Sequence, residues 1–226
     1  MRVNDRYVSF YYENDTDRGT IELDPAKTAL LVIDMQHHFI TRPKDQPPEE
    51  ARRWEPFYQA IDDYVVPNNR RLLDAFRAKG MEVCFAVIQS VTPDGRERSL
   101  DHRATGYNEL LLPPGAPAAE IVPELSPLPG ELVVSKTTDS ALTGTPLRLW
   151  LHNMGIDTVV ATGVLTDQCV SGTVRSLADE SFKVWLIEDA TMAATLRLRD
   201  NALEILNNIY CHVVSTQELL DVLDQS

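Results

Sequence analysis

The sequence predicts an α/β fold: a three-layer α/β/α domain around a six-stranded parallel sheet, with a short strand or hairpin added at the N-terminus. Two observations carry this expectation. Apolar runs that stop abruptly at polar residues recur six times along the chain, and most of the segments between them have helical spacing. Parallel strands buried on both faces read as unbroken apolar runs, and their alternation with helices calls for a sheet covered on both sides through right-handed crossovers.

Residues 1–26 read as an N-terminal extension, in which Tyr7, Val8, Phe10, Tyr11 and Tyr12 precede Gly19 and Ile21 as the added strand or hairpin. The core then opens with 28–34 (TALLVID), an apolar run closed by Asp34. Ile61, Val65, Leu72, Leu73 and Phe76 place a helix over 61–78, interrupted by Pro67 and ended by Lys79 and Gly80. The next two strands are 81–89 (MEVCFAVIQ) and 131–135 (ELVVS). Leu147, Leu149, Leu151 and Met154 run into Gly155 with the same stop signal, ahead of the strand 158–163 (TVVATG). An amphipathic helix over 167–180 keeps Val170, Val174, Leu177 and Ala178 on one face. Strand 183–188 (KVWLIE), a helix marked by Leu203, Ile205, Leu206 and Ile209, and strand 210–215 (YCHVVS) complete the series. The doubly wound, Rossmann-like arrangement of such a chain has strand order 3-2-1-4-5-6. Two long proline-rich stretches, 40–56 and 92–129, read as ordered loops over the site. Residues 1–226 read as one domain, since a boundary near residue 115 leaves neither half enough strands.

Composition narrows function. With 43% hydrophobic and 24% charged residues the chain is that of a folded globular protein. Lys plus Arg at 21 against Asp plus Glu at 34 leave a net charge of -13 without a basic cluster, which argues against a nucleic-acid partner. Three widely spaced cysteines do not make a disulfide framework, and no apolar run is long enough to span a membrane. The expectation is a cytoplasmic protein with reduced thiols, no membrane partner and no zinc-finger or zincin motif.

Ligands of an open α/β sheet bind outside the carboxyl ends of its strands. Asp34 closes the first strand, Lys136 follows the third, and Cys169 lies six residues past the fourth, inside the next helix. Each alone has a plain structural use, as a loop cap, a solvated cation or a packing thiol. Together they face one edge. Thr166 or Asp167 is placed to cap the helix, which puts the Cys169 sulfur in its first turn, where free N–H groups and the helix dipole favour thiolate and lower the pKa. The same amides can hold the oxygen of a tetrahedral intermediate. Cys84 and Cys211 fall inside strand patterns and read as inert packing.

Asp34 within LLVIDMQ, Lys136 within VVSKTTDSALTGTPL and Cys169 within TGVLTDQCVSGTVRSLADE resemble the signature of the isochorismatase-like cysteine hydrolases. That family includes nicotinamidases, N-carbamoylsarcosine amidohydrolases, biuret hydrolases and ureidoacrylate amidohydrolases. The resemblance covers roughly residues 27–215 in motif order and spacing. It implies Cys169 as nucleophile, Asp34 as the base that takes its proton and delivers it to the leaving nitrogen, and Lys136 as the cation that orients the carboxylate. It further implies a cis peptide between Val164 and Leu165 that turns the Leu165 amide, with that of Cys169, toward the oxyanion. The reaction is then acyl transfer through a thioester, with loss of ammonia or an amine and hydrolysis by water, without a cofactor. Lys136 has to reach the site through the bend that follows it, because the third strand is not beside the first.

Nicotinamidases of this family hold a metal through an Asp and two His. Here 89–101 has no histidine before His102, and His37 and His38 are adjacent and poorly placed to share an ion with Asp34, so no metal is expected. His37 and His38 line the entrance or cover it; Tyr210 and His212 read as structural. An intact Asp34, Lys136 and Cys169 set favours amide chemistry, on a small carbamoyl-bearing amide or ureide of the biuret, triuret or ureidoacrylate kind. A vinyl-ether hydrolase and a catalytically silent binding or oligomerisation module on the same scaffold are the alternatives. Residues flanking strand ends supply candidate substrate contacts in Gln36, Gln89, Thr138, Thr166 and Gln168. The long loops supply Phe39, Trp54, Arg103 and Tyr107. Family resemblance also implies a homodimer or homotetramer.

Overall fold

A computed structural model describes residues 6–15, 22–107 and 109–225. Six strands form one parallel sheet in the order β3-β2-β1-β4-β5-β6: β1 (Thr28–Ile33), β2 (Glu82–Ile88), β3 (Leu132–Lys136), β4 (Thr158–Val164), β5 (Lys183–Met192) and β6 (His212–Val214). Every residue of β1 is buried, as a central strand covered on both faces requires. Its side chains alternate between two cores. Leu30 and Val32 join Phe57, Ile61, Leu72, Phe76, Leu219 and Leu223 on one side of the sheet. Ala29, Leu31 and Ile33 join Leu147, Leu151, Val174, Leu177, Leu203 and Leu206 on the other.

Among the described residues seven α-helices accompany the sheet: a single turn α1 (His37–Ile40), then α2 (Pro48–Ala60), α3 (Val66–Ala78), α4 (Leu147–Asn153), α5 (Ser171–Asp179), α6 (Leu196–Leu206) and α7 (Thr216–Gln225). The two core clusters place α2, α3 and α7 on the first face and α4, α5 and α6 on the second. The three-layer architecture is therefore the one the alternating pattern calls for.

Three expectations need correction. The stretch 40–56 is not all loop, because α2 begins at Pro48 and runs through a π-helical segment, Ile61–Val65, into α3. Proline is tolerated at the first helical position, where its missing N–H would have had no partner, and Glu49 and Glu50 in the first turn suit the helix dipole. Pro56 lies inside the helix, but on an exposed surface, while Phe57, Tyr58 and Ala60 are buried and anchor it. Secondly, β5 continues past Glu188 to Met192. Its charged residues have partners: Glu188 pairs with Arg6 at 2.8 Å, and Asp189 accepts from the Thr216 amide and hydroxyl at 2.8 and 2.7 Å.

Thirdly, Phe10–Tyr12 is a 3-10 turn rather than part of a strand. Phe10 and Tyr11 are exposed, and the carbonyls of Arg6 and Tyr7 accept from Asn207 Nδ2 at 3.0 and 3.2 Å, so a side chain takes the place of a ladder. Gly19 and Ile21 lie outside the described residues. The long 92–129 loop, by contrast, is ordered as expected. It holds three 3-10 turns and buries Leu110, Leu112, Ala119, Val122 and Leu125 in the two cores. Among the described residues no helix is long and apolar enough to cross a membrane.

Candidate active site

Three strand ends converge at the carboxyl edge of the sheet. Asp34 follows β1 directly with φ +52°, a left-handed conformation that Asp adopts more readily than most side chains. Its amide still bonds Ala86 O at 2.9 Å, so the carboxylate is fixed to the end of β2. On the other side β4 passes so close that a Cβ on Gly163, paired with Ile33, would sit 2.0 Å from Ile33 O; its φ is +106°. Only glycine fits there.

Lys136 ends β3 and is paired with Ile88 of β2, so two strand spacings of about 4.8 Å each separate it from β1. Its side chain crosses that gap past the end of β2. Nζ lies 2.8 Å from Asp34 Oδ2 and donates to Cys169 Sγ at 3.4 Å and to Thr138 O at 3.2 Å. The bend after β3 thus supplies a ligand to the ammonium, while the reach comes from the lysine side chain itself. Cys169 lies in a π-helical turn, Thr166–Val170, that continues into α5.

The Val164–Leu165 peptide that leads into this turn is cis. Leu165 O accepts from the amides of Gln168 at 3.0 Å and Val170 at 3.2 Å, which flank Cys169, and the Leu165 N–H has no acceptor among the described residues.

All three side chains are buried: Asp34 and Lys136 are 1% exposed and Cys169 6%. Burial pushes the Asp34 carboxyl upward against the pull of Lys136. It also opposes the Lys136 cation, but the charges of Asp34 and Cys169 outweigh it and hold that pKa above the ordinary lysine value. For Cys169 the sequence expectation fails. Burial, followed by the neighbouring Asp34 charge, drives the thiol well above its usual value despite Lys136. Burial and the Asp34 charge thus oppose the thiolate that the helix dipole favours. All three cysteines are free and buried. Burial, then the charges of Glu82 and Glu131, raises Cys84 to about 12; burial also raises Cys211.

The other expected contacts divide. Trp54 and Tyr107 stack with ring centroids 5.8 Å apart and planes at 16°, and Phe39 packs half-buried between the two cores. Burial, then the charges of Asp167, Tyr58 and Cys169, pushes Tyr107 up to about 12, which puts its ring within electrostatic reach of the sulfur. Gln168 and Arg103 are exposed, and Gln89 accepts from Ser135 Oγ at 3.1 Å. Gln36, Thr138 and Thr166 are committed to the frame instead. Gln36 donates to Ile88 O at 2.9 Å and Ala119 O at 2.7 Å and accepts from Ile88 N at 2.8 Å. The Thr138 hydroxyl bonds Ser140 O and Thr143 O, and Thr166 Oγ1 meets Thr191 Oγ1 at 2.8 Å. Each lies near a strand end, and there it ties the loops that shape the site.

Sequence reasoning missed a second carboxylate. Cys169 Sγ donates to Asp139 Oδ1 at 3.6 Å, and His102 Nε2 lies 3.2 Å from the same oxygen. The available signal was position: Asp139 is three residues past Lys136, on the bend that returns to it. Asp101, His102 and Asp139 bring ligand atoms within 4.8 Å of one another and are the group among the described residues that could hold a metal. Nε2 is already turned to a carboxylate, so the arrangement reads as a hydrogen-bonded pair.

The isochorismatase domain family matches residues 28–218. The chain belongs to the isochorismatase family. One similar relative is the isochorismatase family protein YwoC of Bacillus subtilis, 31% identical over 173 residues, 76% of this chain and 81% of that protein. Among solved structures, a cysteine hydrolase from Pseudomonas syringae pv. phaseolicola shares the fold with a TM-score of 0.77 at 22% identity, covering 91% of this chain and 96% of the other. The N-carbamoylsarcosine amidase of Thermoplasma acidophilum is similar at a TM-score of 0.64 and 26% identity, covering 84% of this chain and 96% of that one.

Proposed function

We propose that this isochorismatase-family protein is a cysteine amidohydrolase that cleaves a C–N bond of a small amide or ureide through a thioester on Cys169. The observation that carries this reading is the Lys136 ammonium placed 2.8 Å from Asp34 and 3.4 Å from Cys169 Sγ, with all three side chains buried. Buried charges on three separate chain segments are costly to assemble, and a perturbed acid, cation and thiol together match the needs of nucleophilic catalysis.

In this mechanism Asp34 takes the thiol proton as sulfur attacks the carbonyl carbon. With burial and the Asp34 charge opposing a resting thiolate, ionisation accompanies substrate binding and attack. The Leu165 and Cys169 amides hold the oxyanion, and Lys136 balances the negative charge that moves between Asp34 and sulfur. The C–N bond then breaks as Asp34 delivers the proton to nitrogen, releasing ammonia or an amine. Water adds to the thioester with Asp34 as base, the C–S bond breaks, and the proton returns to sulfur. No step calls for a cofactor. The similar N-carbamoylsarcosine amidase supports a carbamoyl-type substrate.

A panel of small amides and ureides assayed for ammonia tests the proposal. Release from at least one member is expected, and release from none contradicts it.

A further inference from the structure

Asp139 has no part in the steps above, yet its Oδ1 lies 3.6 Å from Cys169 Sγ and is held at 3.2 Å by His102 Nε2. The His102 side chain is 1% exposed and that of Asp139 47%. A buried ring therefore fixes one side of the carboxylate, and the rest opens toward solvent beside the sulfur. Asp34 differs in being enclosed and paired with Lys136. A free-standing anion next to a nucleophile opposes charge on that nucleophile unless something else satisfies it. A second carboxylate is near: Asp167, in the turn that carries Cys169, has a buried Oδ1 with no hydrogen-bond partner among the described residues. The charges acting chiefly on Asp139 are those of His102 and Lys136, while those acting on Cys169 come from Asp34, Lys136 and Asp139. Arg103, the exposed cation beside His102, is in neither group. The cation beside the sulfur is Lys136, which is buried and already paired with Asp34, so the solvent-facing rim of the sulfur offers the Asp139 carboxylate as an acceptor.

We infer that Asp139, positioned by His102, determines specificity by accepting hydrogen bonds from substrate N–H groups, so that the site takes uncharged or cationic N–H-rich ureides and amides and rejects carbamoyl compounds bearing a carboxylate. The inference rests on the amidohydrolase reading for the class of bond and deepens it for the class of substrate. A carbonyl carbon over Sγ carries its nitrogen about 1.3 Å away, within the roughly 2.9 Å N–H···O range of an oxygen seated this close to the sulfur. Satisfying Asp139 in this way also relieves the like-charge pressure on the sulfur, so the matching substrate favours thiol ionisation. A carboxylate in the same place would meet Asp139.

Binding measured without turnover separates recognition from chemistry. Calorimetry on Cys169→Ala with biuret and with N-carbamoylglycine is expected to give biuret an advantage of about tenfold or more, the worth of a hydrogen bond to a charged group. Asp139→Asn in that background should weaken biuret about tenfold and narrow the gap. Asp139→Lys should reverse the preference, and His102→Gln should act as Asp139→Asn does by a smaller factor. N-carbamoylglycine binding as tightly as biuret, a ratio untouched by Asp139→Asn, or no binding of either compound overturns the inference. The first comparison needs no change at Asp139 and so does not depend on a variant's folding. If the binding pattern holds while the unaltered protein releases no ammonia, the amidohydrolase reading fails and the recognition role stands.

Discussion

Cys169 at the sheet edge and Cys84 with Cys211 in the interior share a chemistry and a fate, since all three are buried and all three have raised thiol pKa values. Burial alone does not separate a nucleophile from packing. What differs is the company. The charges of Glu82 and Glu131 add to burial in raising Cys84, while that of Arg175 opposes burial at Cys211. Cys169 has a cation at 3.4 Å, an acid bound to that cation and a second carboxylate at 3.6 Å. The difference between the cysteines lies in the ionisable groups placed at hydrogen-bond distance from the Cys169 sulfur.

The sharpest break between the two regions is turnover. Cys169→Ala should lower ammonia release by about 10⁴-fold or more with the melting temperature near that of the parent, whereas Cys84→Ala should leave kcat unchanged. Comparable losses in both variants would dissolve the distinction. Next in size is Lys136→Met, which strands Asp34 in the interior and should cost about 3–5 kcal/mol of stability at neutral pH as well as activity. Asp34 is then held protonated by burial. A carboxyl whose folded pKa is raised stabilises most at low pH and loses that contribution as pH rises, so denaturant melts of this variant should recover on acidification. A deficit independent of pH would contradict the pairing.

Gly163→Ala probes the junction where β4 passes the Asp34 corner. A side chain driven into Ile33 O at a positive φ should cost about 3 kcal/mol or more in urea unfolding, and a near-neutral result would contradict the strand register. The smallest effect is the most diagnostic of charge. Iodoacetamide alkylation of Cys169 in the resting protein should be slow at neutral pH and rise only in alkali. Its apparent pKa should fall in Asp139→Asn, because that change removes an anion beside the sulfur. Rapid alkylation at mildly acidic pH would restore the thiolate picture drawn from the helix dipole.

The sequence made the sheet readable because each strand is an apolar run closed by a polar residue, and chain order then placed Asp34, Lys136 and Cys169 on one edge. What it concealed depends on contacts from far along the chain. Pro47 and Pro48 disguised the start of α2, although one of them occupies the helical position that proline favours. Glu188 and Asp189 disguised the rest of β5, since their partners, Arg6 and Thr216, are remote in sequence. Gln36 looked free for substrate because the Ile88 and Ala119 groups that consume its amide come from another strand and a distant loop. The ionisation of Cys169 was misjudged for the same reason: the capping turn is local, while burial and the Asp139–His102 pair are not.

The measurement closest to the central claim is intact-mass analysis of protein quenched in acid during turnover of an amide or ureide, followed by peptide mapping. The account predicts an acyl adduct on the peptide containing Cys169, absent from Cys169→Ala and never on Cys84 or Cys211. Sustained ammonia release by Cys169→Ala, with no adduct on the parent protein at any quench time, would contradict it.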